Sequence, residues 1–241
     1  HRITPDQLAA HHDQLSAEVE SLRGADERLR QLDKHIEIAT AAWRNAASAL
    51  SDSRTTAAEA LSSATTRLIG ELGMSGGQFL IQLQPHDSPR PDPNGAERVE
   101  FLVAANAGQP PRALRKVASG GELSRISLAI EVAALGLDSV PTMVFDEVDS
   151  GIGGAVADIV GQKLRALGEE RQVLCVTHLP QVAAKGHAHY RVSKAPIDGM
   201  TQSAVELLSP QAREEELARM LGGVEVSKEA RAAARKLLQN A

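Results

Sequence analysis

Three short stretches of this 241-residue chain carry side chains able to handle phosphate, a divalent cation and an activated water. Ser119-Gly120-Gly121-Glu122 precedes a run in which Leu123, Ile126, Ile130, Ala133, Ala134 and Leu137 recur at helical spacing. Paired glycines let a ligand approach the backbone closely, and the first turn of a helix offers unpaired N–H groups and the positive dipole end to an anion. Asp146-Glu147 closes an apolar run beginning at Val140. Successive side chains on a strand point opposite ways. Two adjacent carboxylates at its end can therefore divide the work, one holding a hydrated Mg²⁺ and the other orienting and deprotonating a water. Asp149 follows in a glycine-rich turn, Val148 to Gly154, and a second apolar run, Gln172 to Val176, ends at Thr177-His178. Singly, each signal also fits a plain helix start or a pair of solvated acids. Their order makes a stronger case.

The elements that must position these residues are legible in outline. Val140 to Phe145 reads as a buried strand, the segment from Ala155 to Leu167 as a helix, and Gln172 to Val176 as a second strand. Ligands in parallel α/β sheets gather at the C-terminal strand ends. That rule brings Asp146, Glu147 and His178 to one edge. Upstream, Phe79 to Leu83 and Arg98 to Ala104 read as a hairpin with a long exposed loop, Pro85 to Gly95, rich in turn residues. Ser75-Gly76-Gly77 follows a helix stop at Gly73 and reads as a turn rather than a phosphate loop.

Residues 1–72 differ in character, with one proline, at position 5, and many strong helix formers. Leu8, Leu15, Leu22, Leu29, Ile36, Trp43 and Leu50 recur every seven residues. That is coiled-coil spacing. Leu61 comes eleven after Leu50, a stutter that locally unwinds a supercoil, and Leu68 resumes the interval. The second core column, His11, Glu18, Ala25, Leu32 and Ala39, is poor, so a partner helix must complete the seam; the alternative is an amphipathic helix lying on a globular body. The expected domains are 1–72, the C-terminal helix of a coiled-coil arm, and 73–241, a globular lobe.

Composition narrows the classes. A net charge of −5, spread as −3 over residues 1–72 and −2 over the rest, excludes a strongly basic nucleic-acid clamp. Aromatic residues make up 2% of the chain, too few for a base-stacking platform. The lone Cys175 allows no internal disulfide and reads as a buried, inert thiol in a reducing compartment. No apolar run approaches the roughly 20 residues of a membrane span, so no membrane partner is expected. His11 and His12 face different ways on a helix and do not suggest a shared metal. His187 and His189 alternate in a strand as surface or edge residues, Glu214 to Glu216 read as acids favouring a helix dipole, and Ser227 reads as the cap of a last helix through Leu238.

Taken together, the motifs resemble the second half of an ATP-binding-cassette ATPase head. Ser119-Gly120-Gly121-Glu122 resembles its signature, Phe145-Asp146-Glu147 its Walker B strand end, Val148-Asp149-Ser150 its D-loop and Thr177-His178 its switch histidine. The longer runs Val117 to Ile126, Phe145 to Asp149 and Val176 to Ala183 are similar to double-strand-break repair members of the structural-maintenance-of-chromosomes (SMC) class. The resemblance implies an α/β fold, the C-terminal lobe of an ABC-type P-loop ATPase head preceded by a long coiled-coil helix. It implies ATP and Mg²⁺ as cofactors and hydrolysis between two dimerised heads. Glu147 and His178 are then catalytic, with Asp146 holding Mg²⁺ through water. Ser119, Gly120, Gly121 and Glu122 bind nucleotide in trans, and Asp149 couples the two sites. Implied partners are a second head and DNA, in a cytoplasmic, nucleoid-associated setting serving repair and recombination.

The P-loop pattern G-x-x-x-x-G-K-[ST] does not occur, and the sequence contains no Gly-Lys pair. With the missing initiator Met, this suggests the C-terminal part of a longer protein, inactive alone and needing an N-terminal P-loop lobe. A head from another SMC or DNA-end-processing ATPase, or a nonenzymatic coiled-coil scaffold, are the alternatives.

Overall fold

The computed structural model describes residues 4–88, 90–117, 119–135, 140–197, 200–223 and 225–240. Pro89, Ala118 and Leu137, which belong to the sequence patterns above, lie outside them. The chain forms two compact units, one of residues 1–55 with 83–98 and the other of 56–82 with 99–241. Helix α1 (Leu8–Glu71) contributes to both.

At 64 residues, α1 is about 96 Å long. In the first unit Leu8, Leu15, Leu22, Leu29 and Ile36 are all exposed, between 40% and 64%. This stripe has the spacing of a seam, and among the described residues nothing covers five of its positions. Further along, the loop expected to be exposed returns to the helix. Trp43 Nε1–H donates to the Asp92 carbonyl at 2.8 Å, and an Arg54 guanidinium N–H donates to the Glu97 carbonyl at 3.4 Å. Gly95, buried at φ +102, sits where a Cβ would press on Leu50 and Arg54. Trp43 and Leu50, in register with the stripe, thus hold the loop.

In the second unit the helix carries its apolar face into the core. Leu68, Ile69 and Leu72 pack with Phe79, Ile126, Leu128, Val148, Val160, Leu164 and Leu167. Gly73 at φ +87 ends the helix and lets Met74 N–H reach back to the Ile69 carbonyl at 3.0 Å. The three-stranded sheet runs β1 (Gln78–Pro85), β2 (Glu97–Ala104), β3 (Arg112–Ala113). Helix hydroxyls occupy backbone groups of β1: Thr66 Oγ1 exchanges hydrogen bonds with Phe79 N and O, and Ser62 Oγ accepts from Ile81 N. Phe79 and Phe101 meet edge to face at 5.4 Å.

The motifs singled out in the sequence lie on or beside α2 (Gly120–Ala133), β4 (Thr142–Phe145), α3 (Gly154–Glu170) and β5 (Gln172–Cys175). Strands β4 and β5 pair in parallel, from Thr142 opposite Gln172 to Phe145 opposite Cys175. The expected buried strand is corrected here: Phe145 is buried, but Val140 and Val144 are 58% and 67% exposed. The core covers one face of this two-stranded sheet, and the other face, with Leu174 and Val176, is open.

A second cluster joins α4 (Pro180–Lys185), α5 (Pro210–Gly222) and α6 (Lys228–Gln239) through Ala183, Ala184, Leu217, Ala218 and Ala234. The antiparallel pair β6 (Tyr190–Ile197) and β7 (Met200–Leu207) lies between α4 and α5 in sequence. His187 and His189 precede β6 rather than alternating within it. Ser227 caps α6 by accepting from Ala230 N at 3.1 Å. Glu214 to Glu216 fall beyond the first turn of α5, where the dipole has faded. They form ion pairs instead: Glu214 with Arg235, Glu215 with Arg231 and Glu216 with Arg219.

Candidate active site

The parallel register of β4 and β5 fixes the site. Because Phe145 and Cys175 are opposite each other, the segments following them leave the sheet side by side, and Val176 N–H donates to the Phe145 carbonyl at 3.0 Å. Asp146 and Glu147 are exposed at this edge. The strand has already ended at Phe145, so a turn, not the strand's alternation, separates the two carboxylates. Glu147 has φ 56 and is, among the described residues, the non-glycine in the left-handed region. That conformation costs on the order of 1–3 kcal/mol, and such residues cluster at functional sites. Its N–H donates to Asp146 Oδ1 at 2.9 Å, and its carbonyl accepts from Ser150 N at 3.0 Å.

Asp149 is buried at 2% exposure and joins the two segments. Its Oδ2 accepts from Thr177 Oγ1 at 2.5 Å, His178 N at 3.1 Å and Leu179 N at 3.4 Å. His178 Nδ1 lies 3.4 Å from the same oxygen, while its side chain is 71% exposed. One carboxylate therefore holds the backbone that presents the histidine.

The start of α2 closes against the same turn. Ser119 is the N-cap and accepts from Glu122 N at 3.4 Å. A Cβ on Gly120 would collide with the Glu147 carboxylate, and one on Gly121 would lie 2.9 Å from Ser150 Cβ. Glycine is required at Gly121, where Ser150 Cβ and two backbone carbonyls leave no room, whereas at Gly120 the contact is the end of an exposed side chain that can turn away. Ser119, Gly120, Gly121, Glu122, Asp146, Glu147, Asp149 and His178 thus belong to one constellation.

Sequence reasoning assigned no role to three residues that hold it. Ser124 Oγ donates to the Asp146 carbonyl at 2.7 Å; Arg125 Nη1 donates to the Ser150 carbonyl at the same distance; Thr177 anchors Asp149. The spacing of Arg125 from the buried Gly121 and Leu128 could have revealed it, since residues three and four apart share a helix face. Burial lowers the Arg125 pKa, opposed by the charge of Glu122. Cys175 is half-buried, and burial, followed by the charges of Asp149 and Asp146, pushes its thiol up to about 12. It stays protonated and unreactive at neutral pH.

Among the described residues no group of three or more His, Cys, Asp or Glu could hold a metal. The exposed Asp146 and Glu147 suit a hard cation that keeps water and phosphate oxygens as its other ligands. No helix among them is long and apolar enough to cross a membrane.

Known proteins resemble the chain in both sequence and fold. It is 74% identical over 239 residues to the DNA repair protein RecN of Xylella fastidiosa strain Temecula1, covering 99% of this chain and 43% of that protein. The RecN of Haemophilus influenzae is 42% identical, again across 99% of this chain and 42% of the relative. The chain therefore spans about two fifths of the length of these curated relatives. No protein-family model matches it. Among solved structures, an Smc head domain with a coiled coil and joint from Pyrococcus yayanosii aligns at TM-score 0.51 and 22% identity, over 88% of this chain and 37% of the other. An Smc head domain with an extended coiled coil from Pyrococcus furiosus, bound to the C-terminal domain of ScpA, gives 0.50 and 21%, over 90% and 53%. Over the parts that align, the fold is thus that of the SMC head with its leading coiled-coil helix, and across 99% of its length the chain is similar to the corresponding two fifths of DNA repair proteins named RecN.

Proposed function

We propose that this chain supplies one half of a composite ATPase site in an SMC-like protein that acts in DNA double-strand-break repair and recombination. ATP lies between two heads, its phosphates held by the P-loop lobe of one and closed upon by the signature of the other. Ser119 and the backbone N–H groups of Gly120, Gly121 and Glu122 then meet the γ-phosphate from outside, stabilising its charge. Asp146 would hold Mg²⁺ through water. When bound, the ion neutralises charge on the phosphoryl oxygens. Glu147 orients the attacking water and accepts its proton, and His178 hydrogen-bonds the γ-phosphate. Asp149 fixes the His178 segment from within the D-loop, which couples the two sites across the dimer.

The observation that carries this reading is the placement of Glu147. Its left-handed backbone stands between the Walker B strand end and the D-loop, with its carboxylate against Gly120. The open apolar face formed by Val140, Val144, Leu174 and Val176 supports a missing P-loop lobe, because parallel sheets ordinarily have both faces covered. The partners are that lobe, a second copy of the head and DNA, in the cytoplasm at the nucleoid; this chain alone turns over no ATP. The exposed stripe on α1 pairs with the other helix of the arm. In the protein at the length of its relatives, Glu147→Gln should lower Mg²⁺-dependent turnover by about 10²–10⁴-fold while nucleotide binding persists. Turnover at the parental rate would overturn the assignment of Glu147 as the base, and a parent without Mg²⁺-dependent turnover would favour a nonenzymatic scaffold.

A further inference from the structure

A separate cluster of cations lies just upstream of the signature. Arg112, Arg115 and Lys116, with Glu100, Leu102, Pro111 and Ala113, line an open depression of about 510 Å³. The β2–β3 register, Leu102 opposite Ala113 and Val103 opposite Arg112, places the cations along the short third strand and the turn after it. Arg115 is 3.5 Å from Glu100 in an exposed pair. Neither Arg112 nor Lys116 forms an ion pair among the described residues. No acidic residue occurs from Ala104 to Gly121, so this stretch departs from the acidic balance of the chain.

We propose that the depression binds the phosphodiester backbone of duplex DNA, an inference that rests on reading the chain as part of a DNA-acting protein. Two guanidinium groups offer planar forks suited to phosphate oxygens, and Lys116 adds a mobile point charge. The lining has no aromatic anchor of the kind that holds a protein partner, and no ring on which a base could stack. Contact is therefore to the backbone, without sequence readout. Placed just before Ser119, the site connects DNA to the segment that carries the signature.

The test uses the protein at the length of its relatives and a labelled duplex titrated with salt. Arg112→Ala, Arg115→Ala and Lys116→Ala combined should weaken binding by about 10- to 100-fold and make the slope of log affinity against log salt shallower by about 2–3. Lysine at both arginine positions should restore most of the slope, and ATP turnover without DNA should stay parental in every variant. Parental affinity and slope in the triple alanine variant would overturn the proposal. So would equally tight binding of polyglutamate through these residues, or displacement of the duplex by inorganic phosphate at constant ionic strength. Loss of turnover in Glu147→Gln with duplex binding indifferent to the pocket would remove this inference alone. Absence of any duplex binding by the parent would remove the DNA reading as well.

Discussion

Arg125 places a guanidinium at 7% exposure with the Ser150 carbonyl as its hydrogen-bond partner and its Nε unpaired. A buried charge without a carboxylate is poor value for stability, and an apolar residue of similar volume is often neutral or better there. Its contribution is instead to hold the Asp146 to Ser150 turn against α2 at the Ser150 carbonyl, while Ser124 grips the other end of the same turn at the Asp146 carbonyl. Arg125→Met should therefore leave the melting temperature parental or higher, yet lower kcat about tenfold with little change in KM, and Lys should partly rescue it. A collapse in melting temperature, or an unchanged kcat, would contradict this role. The candidate site residues stand out in the sequence because their chemistry is written in short runs, Ser119 to Glu122, Asp146-Glu147, Asp149 and His178, and the fold brings these runs to one edge. The residues that hold them do not stand out, because Ser124, Arg125 and Thr177 act through backbone carbonyls and a buried carboxylate that become neighbours only on folding. The left-handed backbone at Glu147 was equally invisible, since no glycine marks it.

Periodicity revealed the elements better than their surroundings. A seven-residue repeat predicts a long helix whatever covers it, and α1 is one. It cannot say that Trp43 and Leu50 meet the 83–98 loop, because a tryptophan in register looks the same beside a helix or a loop. The apolar run before Asp146 likewise predicts a strand but not that one face stays open. Near α5, His189 is partly buried with Nδ1 unpaired, and its pKa is lowered by burial, then by Arg213, against an opposing effect from Glu216. The unfolded chain thus takes up a proton near its ordinary value of about 6.5 while the fold still resists it. Stability should fall as pH drops below about 6.5 and level off below the folded pKa. Glu216 is lowered chiefly by its hydrogen bond from Arg219, so its contribution is lost at more acid pH, as its own folded pKa is crossed. Thermal melts between about pH 7.5 and 5.5 should show the first loss in the parent and a flatter profile in His189→Gln. An identical slope in both would assign the loss elsewhere.

At the scale of the whole molecule, the chain covers 99% of itself but 43% of its Xylella relative, and its charge and length describe that portion. The acidic balance that argued against a clamp coexists with the local cations of Arg112, Arg115 and Lys116, because net charge averages over surfaces that never face one ligand. A signature-like motif without a P-loop makes sense under the proposed shared ATP site. It is tested most directly by ATP-dependent association of the protein at the length of its relatives, followed by light scattering with Mg²⁺. Glu147→Gln should accumulate as an ATP-bound dimer, and adding Ser119→Arg to the same chain should return it to monomer, because the bulky cation keeps the signature from closing on the partner's nucleotide. A Glu147→Gln protein that stays monomeric with ATP, or that dimerises equally well with Ser119→Arg, would contradict the shared site.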